Sequence, residues 1–296
     1  MAWQFEKVAG PCKGRTGGLC WDGSGMLFSA VAEERVLRYD PATDETTVFR
    51  RWTGRVNGLA RDPGGALYAA QEGGRRIVRF NPDGSTSPVL DLLDGAHHNQ
   101  PVDVSRDRSG RIWFADPWNA QPPYGPPAYP LLPHASVLRL DPTGPDRWRM
   151  VRFTHDTAGP RAIALSSDER TLYVADGDAE RGDVCQLFAY PVSSYGSAGP
   201  RHTLLTFTAA DRGIEGLCVD SEGCLIACMG WARGGAGPAI VVISPSGTIL
   251  ETHASPADMP MRCAFGDVGL STLYVTAADG GLYRCRGTGR RGLARP

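Results

Sequence analysis

Arg161, Glu215 and Arg262 each stand at the head of an apolar run, in RAIALSSDERTLYV, EGLCVDSEGCLIA and RCAFGDVGLSTLYV. A guanidinium and a carboxylate so placed can move a proton or hold an anion, provided the fold brings them together. Three further segments of the same shape lead with Gly17, Asn57 and Val102, in GGLCWDGSGMLF, NGLARDPGGALY and VDVSRDRSGRIWF. Whether the leading residues can cooperate depends on what these segments are.

They are repeats, spaced by roughly 40 to 60 residues. An Asp follows five positions after the lead in all but one of them (Asp22, Asp62, Asp107, Asp220 and Asp267), and each reads as strand, Asp/Gly/Ser-rich turn, strand. Further strands follow most copies, as in RVLRYDP, RIVRFNP, SVLRLDP and AIVVISP. About four antiparallel strands per unit with almost no helical periodicity predict an all-β, six-bladed β-propeller. One domain is expected over 1–286, its last blade completed by a strand around Trp3 to Val8. The closing GTGRRGLARP, 287–296, is too polar and glycine-rich to pack and is expected to be a disordered tail.

The inner strands of a propeller run along a central channel, so the six leads should ring one mouth. That ring would hold two arginines, a glutamate and an asparagine. It reads either as a salt-bridged plug or as a ligand site, the two uses of charge in such a place. Asp103, Gln100, His97 and His98 precede or begin the third unit and fall near the mouth. Glu72 ends a strand, where an ion pair with Arg75 or Arg76 is the alternative to ligand binding. Asp116 and Asp176 end strands in FADP and VAD, where turn capping competes with chemistry. The proline-rich PWNAQPPYGPPAYPLLPH, 117–134, reads as a lid offering Trp118, Tyr124 and Tyr129, and MGWARGGAG as a second rim loop carrying Trp231.

Composition excludes several classes. A net charge of −1 without a basic cluster argues against nucleic acid, and a small-molecule partner is expected instead. No signal-peptide pattern opens the chain and no long apolar run crosses it, which predicts a cytoplasmic protein without a membrane partner. The eight cysteines lie in predicted strands without C-x-x-C spacing and read as buried thiols rather than disulfides or a zinc set. No nucleophile elbow, phosphate loop or dinucleotide fingerprint occurs.

The segments NGLARDPGGALYAAQEGGRRIVRFNPDGS, NQPVDVSRDRSGRIWFADP, SSDERTLYVAD, GIEGLCVDSEGCLIA and CAFGDVGLSTLYVT resemble, in order and through nearly the whole chain, the senescence marker protein, gluconolactonase and luciferin-regenerating enzyme family. The FADP…PPYG stretch is similar to its bacterial gluconolactonase branch. The resemblance implies a six-bladed propeller with a divalent ion, usually calcium, held over the channel by a Glu, an Asn and an Asp, the Asp also serving as acid/base. At those positions this chain has Gly17, Arg161 and Glu215; the family's R-x-N-D segment is Gln100 to Asp103, and a second Asn has become Arg262. An arginine about 5 Å from a dication costs roughly 6 kcal/mol at an effective dielectric near 20. The family calcium is therefore expected to be lost and no cofactor is expected, with the Arg161 guanidinium in the metal's electrostatic place beside Glu215.

The resemblance and the ring together predict a lactonase-like hydrolase acting on a small cyclic ester or related substrate, neutral or anionic. Glu215, Arg161 and Asp103 would serve chemistry, and Arg262, Asn57, Gln100, His98, Glu72, Trp118, Tyr124 and Trp231 would contact substrate. A metal-independent biosynthetic cyclase or isomerase and a non-catalytic small-molecule binder are the alternatives.

Overall fold

Each repeat is a hairpin, and in four of the six the recurring Asp ties the turn. Asp22 accepts the N–H groups of Ser24 and Gly25 at 2.9 and 2.7 Å, Asp107 that of Arg111 at 2.9 Å, and Asp220 those of Glu222 and Cys224 at 2.9 and 2.8 Å. In the fourth copy, which lacks that Asp, the Ser166 hydroxyl accepts the N–H of Thr171 at 3.0 Å and does the same work. Such side-chain acceptors fix the turn and with it the pairing register.

The computed structural model describes residues 2–118 and 129–294. Six four-stranded antiparallel sheets follow one another, making a six-bladed propeller. The innermost strands are Thr16–Trp21, Val56–Arg61, Asp103–Arg106, Ala162–Leu165, Ile214–Val219 and Pro260–Gly266. The sixth blade takes its outermost strand, Glu6–Ala9, from the other end of the chain, where it pairs with Leu282–Cys285. Apolar layers fill the space between blades, such as Trp113, Phe153, Phe188 and Tyr190 between the third and fourth. No disulfide joins the cysteines, and among the described residues no helix is long and apolar enough to cross a membrane.

One expectation fails here. Residues 287–294 do not trail away from the domain. The Arg290 guanidinium reaches buried Asp220 at 2.6 Å and also pairs with Glu251, Ser221 N–H donates to Arg291 O at 2.9 Å, and Gly292 N–H donates to Leu270 O at 2.8 Å. Composition misled because one arginine supplies the counter-charge for an Asp that the fifth hairpin turn has buried.

Candidate active site at the channel mouth

Glu215 starts the inner strand of the fifth blade and is 3% exposed. One carboxylate oxygen lies 2.9 Å from Arg212 Nε, as an ion pair rather than an aligned hydrogen bond, and the other lies 3.4 Å from Arg161 Nη1. Arg161 also binds Asp178, and its Nε donates to Gly177 O at 3.1 Å, so the fourth blade's top loop fixes its direction. Arg212 lies 3.3 Å from Glu180. Burial alone would raise the Glu215 carboxyl, but Arg161, Arg212, Arg262 and Arg15 outweigh it and hold the group below the ordinary glutamate range. The pair inferred from sequence thus exists, and a second arginine completes it.

Arg262 is buried and points across the channel. Its guanidinium donates to the carbonyls of Glu215, Met261 (2.8 Å), Val102 (3.2 Å) and Arg161 (3.2 Å), so it links four blades. Asp103 stands 3.5 Å from its Nε and accepts Ile163 N–H at 2.9 Å, tying the third blade to the fourth. Asp103 and Arg262 therefore close the neck beneath the mouth. A cavity of about 500 Å³ lies on the far side of them, lined by Leu59, Ile163, Leu217 and Phe265 and reached from the hairpin-turn end. Its rim acids Asp62 and Asp107 are spent on capping turns. Chemistry is assigned to the mouth because several polar atoms of the residues around it have no partner. Among the described residues these include Nε of Arg15, Arg55 and Arg75, Nη2 of Arg75, Nε2 of Gln100, and Oδ1 of Asn57 and Asn99. Buried polar groups left without partners in a native fold call for an explanation, and a bound ligand supplies one.

On the second and third blades the partners differ from those expected. Glu72 binds Arg15 at 2.7 Å and Arg55 at 3.0 Å, not Arg75 or Arg76; Arg76 binds Gln71 instead. Asp116 accepts the N–H groups of Asn99 and Gln100 at 2.9 and 2.8 Å, and Asp176 likewise accepts those of Ala158 and Gly159. The same cap recurring in adjacent blades marks both as structural. Burial raises the Asp116 carboxyl to about 7, with those two N–H groups and Arg75 opposing it.

His98 is not at the mouth. It is fully buried 5.1 Å from the Phe114 ring, its Nε2 3.2 Å from Met150 Sδ, and burial pushes its pKa down to about 3. The chain turns between His98 and Asp103, so closeness in sequence put the imidazole on the wrong side of the blade. His97 lies out in a small two-stranded sheet, 4.0 Å from Asp91. Trp231 is flanked by the guanidiniums of Arg212 (5.1 Å) and Arg233 (5.4 Å), which joins it to the Glu215 cluster. Trp118 lies 5.4 Å from the Arg181 guanidinium on the fourth blade's loop. Tyr124 falls outside the described residues.

The missed residues are Arg15, Arg55, Arg75 and Arg212. A signal existed for three of them: an arginine two or three places before the lead in R-T-G, R-V-N and R-G-I-E.

The three positions that the family resemblance assigns to a calcium ion are Gly17, Arg161 and Glu215. Gly17 supplies no ligand, and a Cβ there would stand 2.6 Å from Asn57 Oδ1. Both Glu215 oxygens face guanidiniums, and among the described residues no group of three or more His, Cys, Asp or Glu is arranged to hold a metal. A hard dication needs six or more oxygens and here would meet fixed positive charge.

The sequence matches the family model described as SMP-30/Gluconolactonase/LRE-like region over residues 16–279. It is 29% identical over 235 residues to a gluconolactonase of Zymomonas mobilis subsp. mobilis, covering 75% of this chain and 60% of that protein, so the chain spans less than two thirds of that relative. It is 26% identical over 220 residues to a 6-deoxy-6-sulfogluconolactonase of Pseudomonas putida, covering 74% and 67%. The solved structure of a gluconolactonase from Xanthomonas campestris superposes with a TM-score of 0.83 at 26% identity, covering 96% of this chain and 89% of that one.

Proposed function

Because this chain belongs to the SMP-30/gluconolactonase/LRE-like family, we propose that its channel mouth hydrolyses a small sugar-type lactone with guanidinium groups in place of a divalent ion. The observation that carries this reading is Glu215 between Arg161 and Arg212, the one carboxylate among the six leads. Relatives named for gluconolactone-type substrates support the substrate class.

Glu215 accepts a proton from a water as its oxygen bonds to the lactone carbonyl carbon. The charge arriving on the carbonyl oxygen is met by Arg161 and Arg212, fixed by Asp178 and Glu180 before the substrate arrives. When the ring C–O bond breaks, the leaving alkoxide takes the proton from Glu215, which restores the carboxylate and yields a hydroxy acid. A carboxyl held this low is a modest base, so charge stabilisation by the two arginines carries most of the acceleration. The near-complete burial of Glu215 favours a second reading, in which the cluster only binds.

Hydrolysis of glucono-lactone followed by acid release separates the two. Acceleration over buffer that survives a chelator is expected. No acceleration, or acceleration only with added divalent ion, overturns the proposal.

A further inference from the structure

We infer that Arg75 is the seat of an anionic group on the ligand, a carboxylate, sulfonate or phosphate remote from the reacting carbonyl. The reading of that ligand as a lactone rests on the proposed function, while the anion seat stands on geometry.

The other mouth arginines have carboxylates: Arg15 and Arg55 share Glu72, Arg161 and Arg212 share Glu215, and Arg262 faces Asp103. Arg75, 6% exposed, has no carboxylate within ion-pair distance among the described residues. The undescribed stretch 119–128, NAQPPYGPPA, contains no Asp or Glu that could supply one. The Arg75 side chain is anchored through Nη1, which donates to Asn99 O. Among the described residues, Nε and Nη2 are left without partners. Those two nitrogens form one edge of the guanidinium, the edge that grips two oxygens of an oxyanion side by side. Next to Asn99 in the chain, buried Gln100 carries a second unspent donor, Nε2. The nearest acid, Asp116, is committed to two backbone N–H groups. Burial lowers the Arg75 pKa, as expected of a cation without its counter-ion, with Asp116 and Tyr129 only partly offsetting it. A buried unpaired charge is costly in the free protein, and an anionic ligand group would supply the missing charge.

The test uses inorganic sulfate and phosphate as probes of melting temperature at constant ionic strength, with chloride as reference. Wild type should be stabilised by the oxyanions beyond chloride, and Arg75→Gln should lose that stabilisation. Without ligand, Arg75→Gln should melt no lower than wild type, because it removes an unpaired charge; Arg75→Lys keeps the charge, loses the two-pronged edge and should fall between. With 6-phosphoglucono-lactone and neutral glucono-lactone as substrates, Arg75→Gln should raise the KM for the phosphorylated one, relative to that for the neutral one, by about 10- to 100-fold. Oxyanion stabilisation that is absent in wild type, is only the adventitious ionic effect chloride gives, or persists in Arg75→Gln overturns the inference. If neither lactone turns over but the oxyanion effect tracks Arg75, the proposed hydrolysis falls and the anion seat stands.

Discussion

Replacing Glu215 by Gln removes the charge between two arginines and keeps the shape. Guanidinium nitrogens stand 2.9 and 3.4 Å from its oxygens. At an effective dielectric near 20, each such pair gains roughly 5 to 6 kcal/mol before desolvation is charged against it. Breaking a buried pair leaves a net loss of about 3–5 kcal/mol. Arg161 and Arg212 keep Asp178 and Glu180 as second partners, which favours the low end. For a chain of 296 residues, with an unfolding entropy of roughly 2 cal/mol/K per residue, this amounts to a fall of about 5–8 °C in melting temperature. The decisive measurement is turnover per folded molecule below that temperature, with the folded fraction checked by circular dichroism. Loss of a general base lowers it by about a hundredfold or more. A destabilised variant with normal turnover would make Glu215 a plug and end its catalytic assignment. A variant with wild-type stability and turnover would refute the electrostatic reasoning as well.

Gly17→Glu with Arg161→Asn should create calcium affinity measurable by calorimetry at about millimolar concentration, although Asn57 must move to admit the new Cβ; no binding there counts against the matched positions. His98 supplies a pH test. Its folded pKa of about 3 lies below the unfolded value near 6.5, so the unfolded chain binds the proton first. Its contribution is whole above pH ~6.5 and is lost as pH falls toward 3, up to about 4–5 kcal/mol in total. His98→Leu should flatten that part of the stability profile in urea melts between pH 4 and 7 and leave lactone turnover unchanged. An unaltered slope would show that the imidazole is not held neutral.

The blades were legible because turn chemistry recurs: Asp22, Asp62, Asp107 and Asp220, each five places after its lead, all accept N–H groups of their own hairpin turn. The ring of leads followed from that register, so Glu215, Arg161 and Arg262 were singled out by spacing, and Asp103 by the family resemblance. Arg75 was not, because it sits on a loop between strands, where no period says which way a side chain points, and Arg212 was passed over although it stands three places before a lead. His98 shows the same limit from the other side. It stands five positions before Asp103, yet the intervening loop sends its ring into the core. Residues 287–294 were misread because local composition carries no record of a buried Asp220 elsewhere awaiting a counter-charge.

The Arg262 guanidinium, bonded to carbonyls of separate blades, has a consequence for traffic. It makes the channel a blind well: whatever comes in by the mouth cannot leave through the hairpin-turn end. On the proposed lactone hydrolysis, reactant and product would then use a single doorway in turn, and the hydroxy acid would have to vacate before the next molecule is admitted. Accumulated product would compete directly with substrate, so progress curves should bend early even while substrate remains abundant.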